Sequence, residues 1–454
     1  MKRLVFCFDG TWNALNADTP TNVVLTAASI VRETRDGITQ IIHYDEGVGT
    51  GRLEKLSGGM FGAGLIENVR EAYRFLIFNY DPKDEIFVFG FSRGAFSART
   101  FVNFVRHVGP LRRLHAARID EALDLYRERL SGADGASERT RKFRADYSSN
   151  VCVGTDDDSW RCQNVADYQK GSAPVLTIKY LGVWDTVAAL GFPEVMPFSQ
   201  KLNNKYAFHD ASLSDFVESA RHAVAIDERR ALFPPATWSD LTAINAAKNY
   251  SPDHLDAPYQ EKWFPGTHGS VGGGGDIRGL SDGALAWVLK GAKRAGLVLD
   301  AAAGSRIQGF APNALVPLVN MSKPEKSFTN VITTDRKGPD HRWQLSAAAL
   351  RRYKASPSEL PDRAAYRPRT LSKLDSALAS YVIDAGQQDT NILAEHVVVS
   401  GDQLRKLAKH YYGDAEKWKI IFDANRDTID DADELFVGWK LRIPALASTE
   451  QLTI

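Results

Sequence analysis

The sequence predicts an α/β fold: a mostly parallel sheet with helices on both faces and insertions, followed by a small α+β module at the carboxyl end. Three observations carry this reading. Short apolar runs stop abruptly at Asp-Gly, Ser or Asp, as buried parallel strands do where they meet their loops. Segments with apolar residues at helical spacing alternate with those runs, which is the pattern of a helix-covered sheet. From residue 391 the order becomes strand, helix, helix, strand within about fifty residues, too short a stretch to continue the sheet.

The first run, residues 4–8, ends at Asp9-Gly10. Between Gly64 and Tyr80, Ile66, Val69, Tyr73, Leu76 and Ile77 recur at helical spacing, and Pro82-Lys83-Asp84 punctuates before the run EIFVFGF. Ser92-Arg93-Gly94-Ala95 then opens a helix to Val108, and residues 176–183 make a strand ending at Trp184-Asp185. Residues 110–172 are rich in charge, with weak periodicity, and read as an insertion over the sheet with the character of a lid. ESARHAVAID, which holds His222, has helical spacing, whereas Lys262 to Phe264 reads as a strand that leads into a flexible turn bearing His268. Residues 301–388 have scattered prolines, basic pairs such as Arg351-Arg352, and no strand run beyond 330–333; they read as wrap or linker. The main domain is therefore placed at 1–385, with less regular stretches at 110–172 and 301–385, and the small one at 391–445. In the latter, Ser400-Gly401-Asp402 is expected to cap a helix carrying Leu404, Leu407 and Ala408, and residues 441–443 form the closing strand.

Composition excludes some classes. Acidic and basic residues balance at 56 each in 454, so no global field draws the chain to nucleic acid. Cys7, Cys152 and Cys162 leave one thiol over in any pairing scheme, which points to a reducing cytoplasm at synthesis, and no cluster asks for a metal or cofactor. The amino-terminal MKRLVFCFDG is too short in its apolar run for a signal peptide, and no run reaches membrane-spanning length. Export would need another route.

The chemistry is concentrated in Gly90-Phe91-Ser92-Arg93-Gly94, a G-x-S-x-G between a strand and a helix. Such a turn exposes the serine as a nucleophile, its glycines relieve crowding, and the following N–H, here that of Arg93, faces a developing oxyanion. The bland alternative is a Gly-Ser turn at a strand end. A serine nucleophile on this kind of sheet is followed in the chain by an acid and then a histidine. Asp185, at the end of a strand, fits the acid, against the alternative of a helix cap. His268 fits the base, in WFPGTHGSVGGGG; that glycine run lacks the spacing and lysine of a phosphate cradle. His222 is the minority candidate, expected on a helix face. FDGTWN could also belong to aspartyl-phosphate chemistry, but Cys7 stands where its nucleophile would be. In the serine reading Gly10 or Thr11 offers a second oxyanion N–H and Asp9 lines the site, with turn chemistry as the alternative for Asp9 and Asn13.

Taken together, FDGTWN, YDEGVGTG, GFSRGA, GVWDTVAALG, HAVAIDERR and WFPGTHGSVGGG resemble the type VI secretion lipase effectors, an α/β-hydrolase group, over roughly residues 1–289. The resemblance implies a triad of Ser92, Asp185 and His268 cleaving phospholipid acyl esters, delivery by a contact-dependent secretion system, and an immunity protein as a partner. The family commonly carries an aspartate two residues after that histidine; this chain has Ser270. The terminal block VVVSGDQLRKLAKHYYGDAEKWKIIFDANRD is similar to LysM domains, which implies binding of peptidoglycan-type glycans or docking to a secretion apparatus. The competing reading is a glycan-binding or docking protein whose hydrolase fold is only a scaffold.

Overall fold

The computed structural model describes residues 1–10, 18–47, 60–131, 136–187, 213–239, 241–300, 310–322, 332–380, 392–425 and 439–446, with 429, 432, 433 and 435 between the last two. Thr11 and Asn13 lie outside the described residues, as do 330 and 331 of the expected strand; Thr333 makes a single bridge to Arg230.

Six strands form one sheet: β1 (Arg3–Phe8), β2 (Gln40–Asp45), β3 (Glu85–Phe91), β4 (Tyr180–Trp184), β5 (Ala220–Ala225) and β6 (Tyr259–Phe264). Their order is β2-β1-β3-β4-β5-β6, and every pairing is parallel. Alternation along β1 shows why both faces need helices. Leu4, Phe6 and Phe8 enter one core, with residues of α2 (Met60–Asn79) and α3 (Ser92–Val108); Val5 and Cys7 enter the other, on the side of α1 (Asn22–Ser29). The chain leaves β1 toward β2 on one side and returns to β3 on the other. The crevice at the carboxyl ends of β1 and β3 is thus a topological switch point, where open α/β sheets place their ligands.

Three sequence expectations are corrected here. Residues 220–225 are strand, not helix: all six are buried between two helical layers, so the alternation that would mark a strand is lost. The region expected as a lid folds into α4 (Ile119–Ser131), α5 (Ala136–Tyr147) and α6 (Thr155–Asn164). Ile119, Leu123, Tyr126 and Phe143 bury in the core around α3, and Tyr126 packs on Phe104 and His107, at the end of α3 away from Ser92. Of the two readings of residues 301–388, wrap or linker, the linker one fails: Leu345, Tyr353, Leu360, Tyr366, Leu371 and Leu374 pack around Val224, Ile226 and Trp263.

Directly after β6 come the short α7 (His268–Gly272) and then α8 (Gly279–Arg294). At the carboxyl end β7 (Ile392–Val397) pairs antiparallel with β8 (Lys440–Pro444) over a core of Val398, Leu404, Leu407, Ala408, Ile421, Phe422, Leu441 and Ile443. Among the described residues no helix is long and apolar enough to cross a membrane.

Candidate active site

β3 delivers Ser92 at a sharp turn, with a φ of 59° that a side-chain-bearing residue adopts only under constraint. The flanking glycines supply the constraint. A Cβ on Gly94 would stand 2.3 Å from the carbonyl oxygens of both Phe8 and Asp9, so only glycine lets α3 begin against the end of β1. Ser92 heads α3, and the Arg93 N–H sits in the first turn, where helical N–H groups lack intrahelical partners.

Asp185 follows β4, the neighbour of β3, so the register Phe91↔Trp184 puts the acid beside the nucleophile. Its φ is 34° and it is fully buried. Oδ1 accepts from the Ala225 N–H at 2.8 Å and from Arg336 Nη1 at 2.6 Å; Oδ2 accepts from His268 Nδ1 at 2.6 Å and Arg336 Nη2 at 3.0 Å. Burial pushes the carboxyl up, but the Arg336 charge and then the His268 hydrogen bond outweigh it and hold the group well below the usual carboxylate range.

His268 is the first residue of α7, not part of a flexible turn. Its ring lies between Phe91, with centroids 4.6 Å apart, and Phe233, at 5.0 Å. Its backbone N–H donates to Glu228 Oε2 at 3.1 Å, and Glu228 is paired with Arg230 at 2.8 Å. The helix rests flat on Phe91 because Gly272 has no side chain; a Cβ there would fall inside the ring. Nε2 is 2.8 Å from Ser92 Oγ. With Nδ1–H donated to Asp185, Nε2 is left as the acceptor for the serine proton.

The other expected residues fare differently. The Gly10 N–H is directed at Asp9 Oδ1, 2.6 Å away, and not toward Ser92, which corrects its expected use as an oxyanion donor. Asp9 Oδ2 accepts from Thr21 Oγ1 at 2.6 Å and Tyr44 OH at 2.8 Å, so this buried carboxylate ties the ends of β1 and β2 to the start of α1. His222 is turned away: Nδ1 meets Glu261 Oε2 at 2.9 Å and Nε2 accepts the Thr186 N–H at 3.1 Å, leaving neither ring nitrogen for Ser92. Ser270 donates to the Leu318 carbonyl at 2.6 Å, where an aspartate would bring its charge against that oxygen. Cys7 is buried in β1, with burial raising its thiol pKa far above the ordinary value. Arg336, Glu228 and Phe233 were not expected from sequence. Glu228 lies in the HAVAIDERR block, but Arg336 sits in a stretch without periodicity and gave no signal.

Comparison with known proteins agrees with this architecture. Residues 2–291 match the family model described as type VI secretion system (T6SS) phospholipase effector Tle1-like, catalytic domain. The chain belongs to this family. Residues 396–444 match the LysM domain model, so the Tle1-like catalytic domain is followed by a LysM domain. A curated relative, uncharacterized protein YEL023C of Saccharomyces cerevisiae, is 26% identical over 262 residues, covering 54% of this chain and 33% of the relative. The chain thus spans about a third of that relative's length. Two solved structures are similar. An uncharacterized protein from Pseudomonas aeruginosa has 15% identity and a TM-score of 0.40, over 96% of this chain and 64% of that one. The Tle1 effector bound to the VgrG spike of the type 6 secretion system has 17% identity and a TM-score of 0.31, over 61% and 52%.

Proposed function

We propose that this chain is a serine ester hydrolase of the phospholipase kind, acting through an acyl-enzyme. Ser92 Oγ attacks the acyl carbonyl while His268 Nε2 takes its proton. The imidazolium then returns that proton to the departing alcohol, and the acyl group stays on Ser92. Water, deprotonated by His268, attacks the acyl carbonyl; the bond to Ser92 Oγ breaks, the imidazolium returns the proton to that oxygen, and the acid is released. Asp185 fixes the imidazole tautomer and carries the counter-charge of the imidazolium; Arg336 positions Asp185. The Arg93 N–H binds the oxyanion, worth about 3 kcal/mol for such a donor. The observation that carries the reading is the continuous path from Ser92 Oγ through both ring nitrogens to Asp185, with steps of 2.8 and 2.6 Å, at a serine held at positive φ. Phospholipid as the substrate follows from the family.

The test is hydrolysis of phospholipids and short acyl esters by wild type and Ser92→Ala. A loss of roughly three or more orders of magnitude in kcat is expected; equal rates would refute the reading. As a member of a secretion effector family, the chain is proposed to leave its producing cell by contact-dependent export and to be restrained there by an immunity protein. A docking role for the carboxyl-terminal module is favoured by its separate core and its LysM match. Sedimentation with peptidoglycan should drop when residues 392–454 are removed, and unchanged sedimentation would dismiss glycan anchoring.

A further inference from the structure

A second site lies at the opposite end of α3. Its seventeen residues place His107 about 22 Å from Ser92 at roughly 1.5 Å per residue. There Asn103, Arg106, His107, Arg129 and Arg144 line a cavity of about 190 Å³. Each of these described side chains can donate a hydrogen bond, three are guanidiniums, and none is a carboxylate.

Asp157, buried beside the cavity, is shared between Arg144, at 2.8 Å, and Arg161, at 3.0 Å, one carboxylate for two guanidiniums. The Arg106 side chain makes no hydrogen bond or ion pair among the described residues, although it is half-buried at the cavity. The His107 imidazole is pushed down to about 3, first by burial and then by the charges of Arg129 and Arg144, with a smaller push from Arg106. It is therefore neutral at pH 7, with Nε2 3.2 Å from Thr140 Oγ1. The carboxyl end of α3 contributes about half a negative charge, less than the guanidiniums supply.

We propose that this cavity binds a phosphate-bearing anion. Guanidiniums offer paired N–H groups that match phosphate oxygens, and the Arg106 guanidinium, beside a carboxylate already shared between Arg144 and Arg161, leaves positive charge for an anion to meet. The size fits. At about 30 Å³ per water in the liquid, the space has room for a phosphate group with a few waters. The source is either free phosphate or a lipid headgroup presented at a membrane. The proposal is independent of the chemistry at Ser92, so its failure would leave the hydrolase reading standing.

The test is calorimetric titration of the full chain with inorganic phosphate at ionic strength held constant by chloride, on wild type, Arg106→Gln and Arg106→Lys. Saturable one-site binding by wild type is expected, weakened at least about tenfold by Arg106→Gln and less by Arg106→Lys. Ester hydrolysis of both variants should match wild type, and without phosphate Arg106→Gln should melt no lower than wild type. The His107 imidazole resonance should titrate at higher pH when phosphate is bound, since the anion offsets the arginine field. Co-sedimentation with phosphatidylcholine vesicles, with and without phosphatidic acid, separates the sources. Binding that needs phosphatidic acid and is lost in Arg106→Gln assigns a headgroup; phosphate binding without vesicle binding assigns a free anion. Absence of saturable binding, or equal affinity in Arg106→Gln, overturns the proposal.

Discussion

Replacing Arg336 with glutamine tests the electrostatics of the site most directly. The guanidinium donates to both oxygens of Asp185, at 2.6 and 3.0 Å, and to the carbonyls of Ala225 and Phe233, at 2.9 and 2.8 Å. Both charged partners are almost wholly buried. Removing one member of such a pair strands the other, at a cost of about 3–5 kcal/mol. The pH dependence has a definite sign. In wild type the Asp185 pKa is depressed, so its stabilising contribution is complete above the unfolded value near 4 and fades as pH falls through the lower folded value. Without Arg336, burial, the largest influence on Asp185, acts unopposed by that charge, and Asp185 takes up a proton at higher pH than in wild type. The stability deficit of the variant should therefore be greatest near pH 7 and above and shrink as pH is lowered, and the acid limb of kcat/KM should move to higher pH. Urea unfolding at several pH values and a pH profile of ester hydrolysis read both effects. Equal stabilities at pH 7 together with superimposable pH profiles would refute the argument.

Three further outcomes follow from the same structure. His222→Gln should cost about 1–3 kcal/mol in stability, because Glu261 and the Thr186 N–H lose a buried partner, while kcat stays within about threefold of wild type; loss of turnover in a folded variant would reopen the choice of base. Gly94→Ala should lower kcat/KM by roughly a hundredfold or more, since its Cβ cannot fit against the Phe8 and Asp9 carbonyls without moving Ser92, and near-normal kinetics would contradict that packing. Native protein titrated with a thiol reagent at pH 8 should modify exposed Cys162 quickly, and buried Cys7 and Cys152 only after denaturation; rapid labelling of Cys7 would mean that β1 is open to solvent.

The sheet was legible because its strands are punctuated: Asp9, Ser92 and Asp185 each mark the loop at a strand's carboxyl end. Legibility failed where the environment removes the pattern. β5 is buried on both faces, so ARHAVA carries no alternation and its histidine looked helical. In α5 the apolar face is sparse and the helix is held partly by polar links such as Arg144 with Asp157, which leave little periodicity. Ser92, Asp185 and His268 could be ordered along the chain from turn chemistry and strand ends. Arg336 could not, because its partner lies 151 residues earlier and nothing local distinguishes it from any other arginine in an irregular stretch.

The packing of residues 310–322 and 332–378 around the site also sets a sequence in time. The Leu318 carbonyl accepts from the Thr267 N–H and Ser270 Oγ, on either side of His268. Tyr366 OH donates at 2.7 Å to Asp227, whose carboxylate also holds the Gly266 N–H at 2.6 Å. A ribosome adding about 5–20 residues per second makes Arg336 roughly 3–14 s after His268, and Tyr366 later still. Ser92, Asp185 and His268 thus all exist in the growing chain before the parts that fix them. The contacts that Arg336, Leu318 and Tyr366 make around Asp185 and His268 can form only once those later residues have been made.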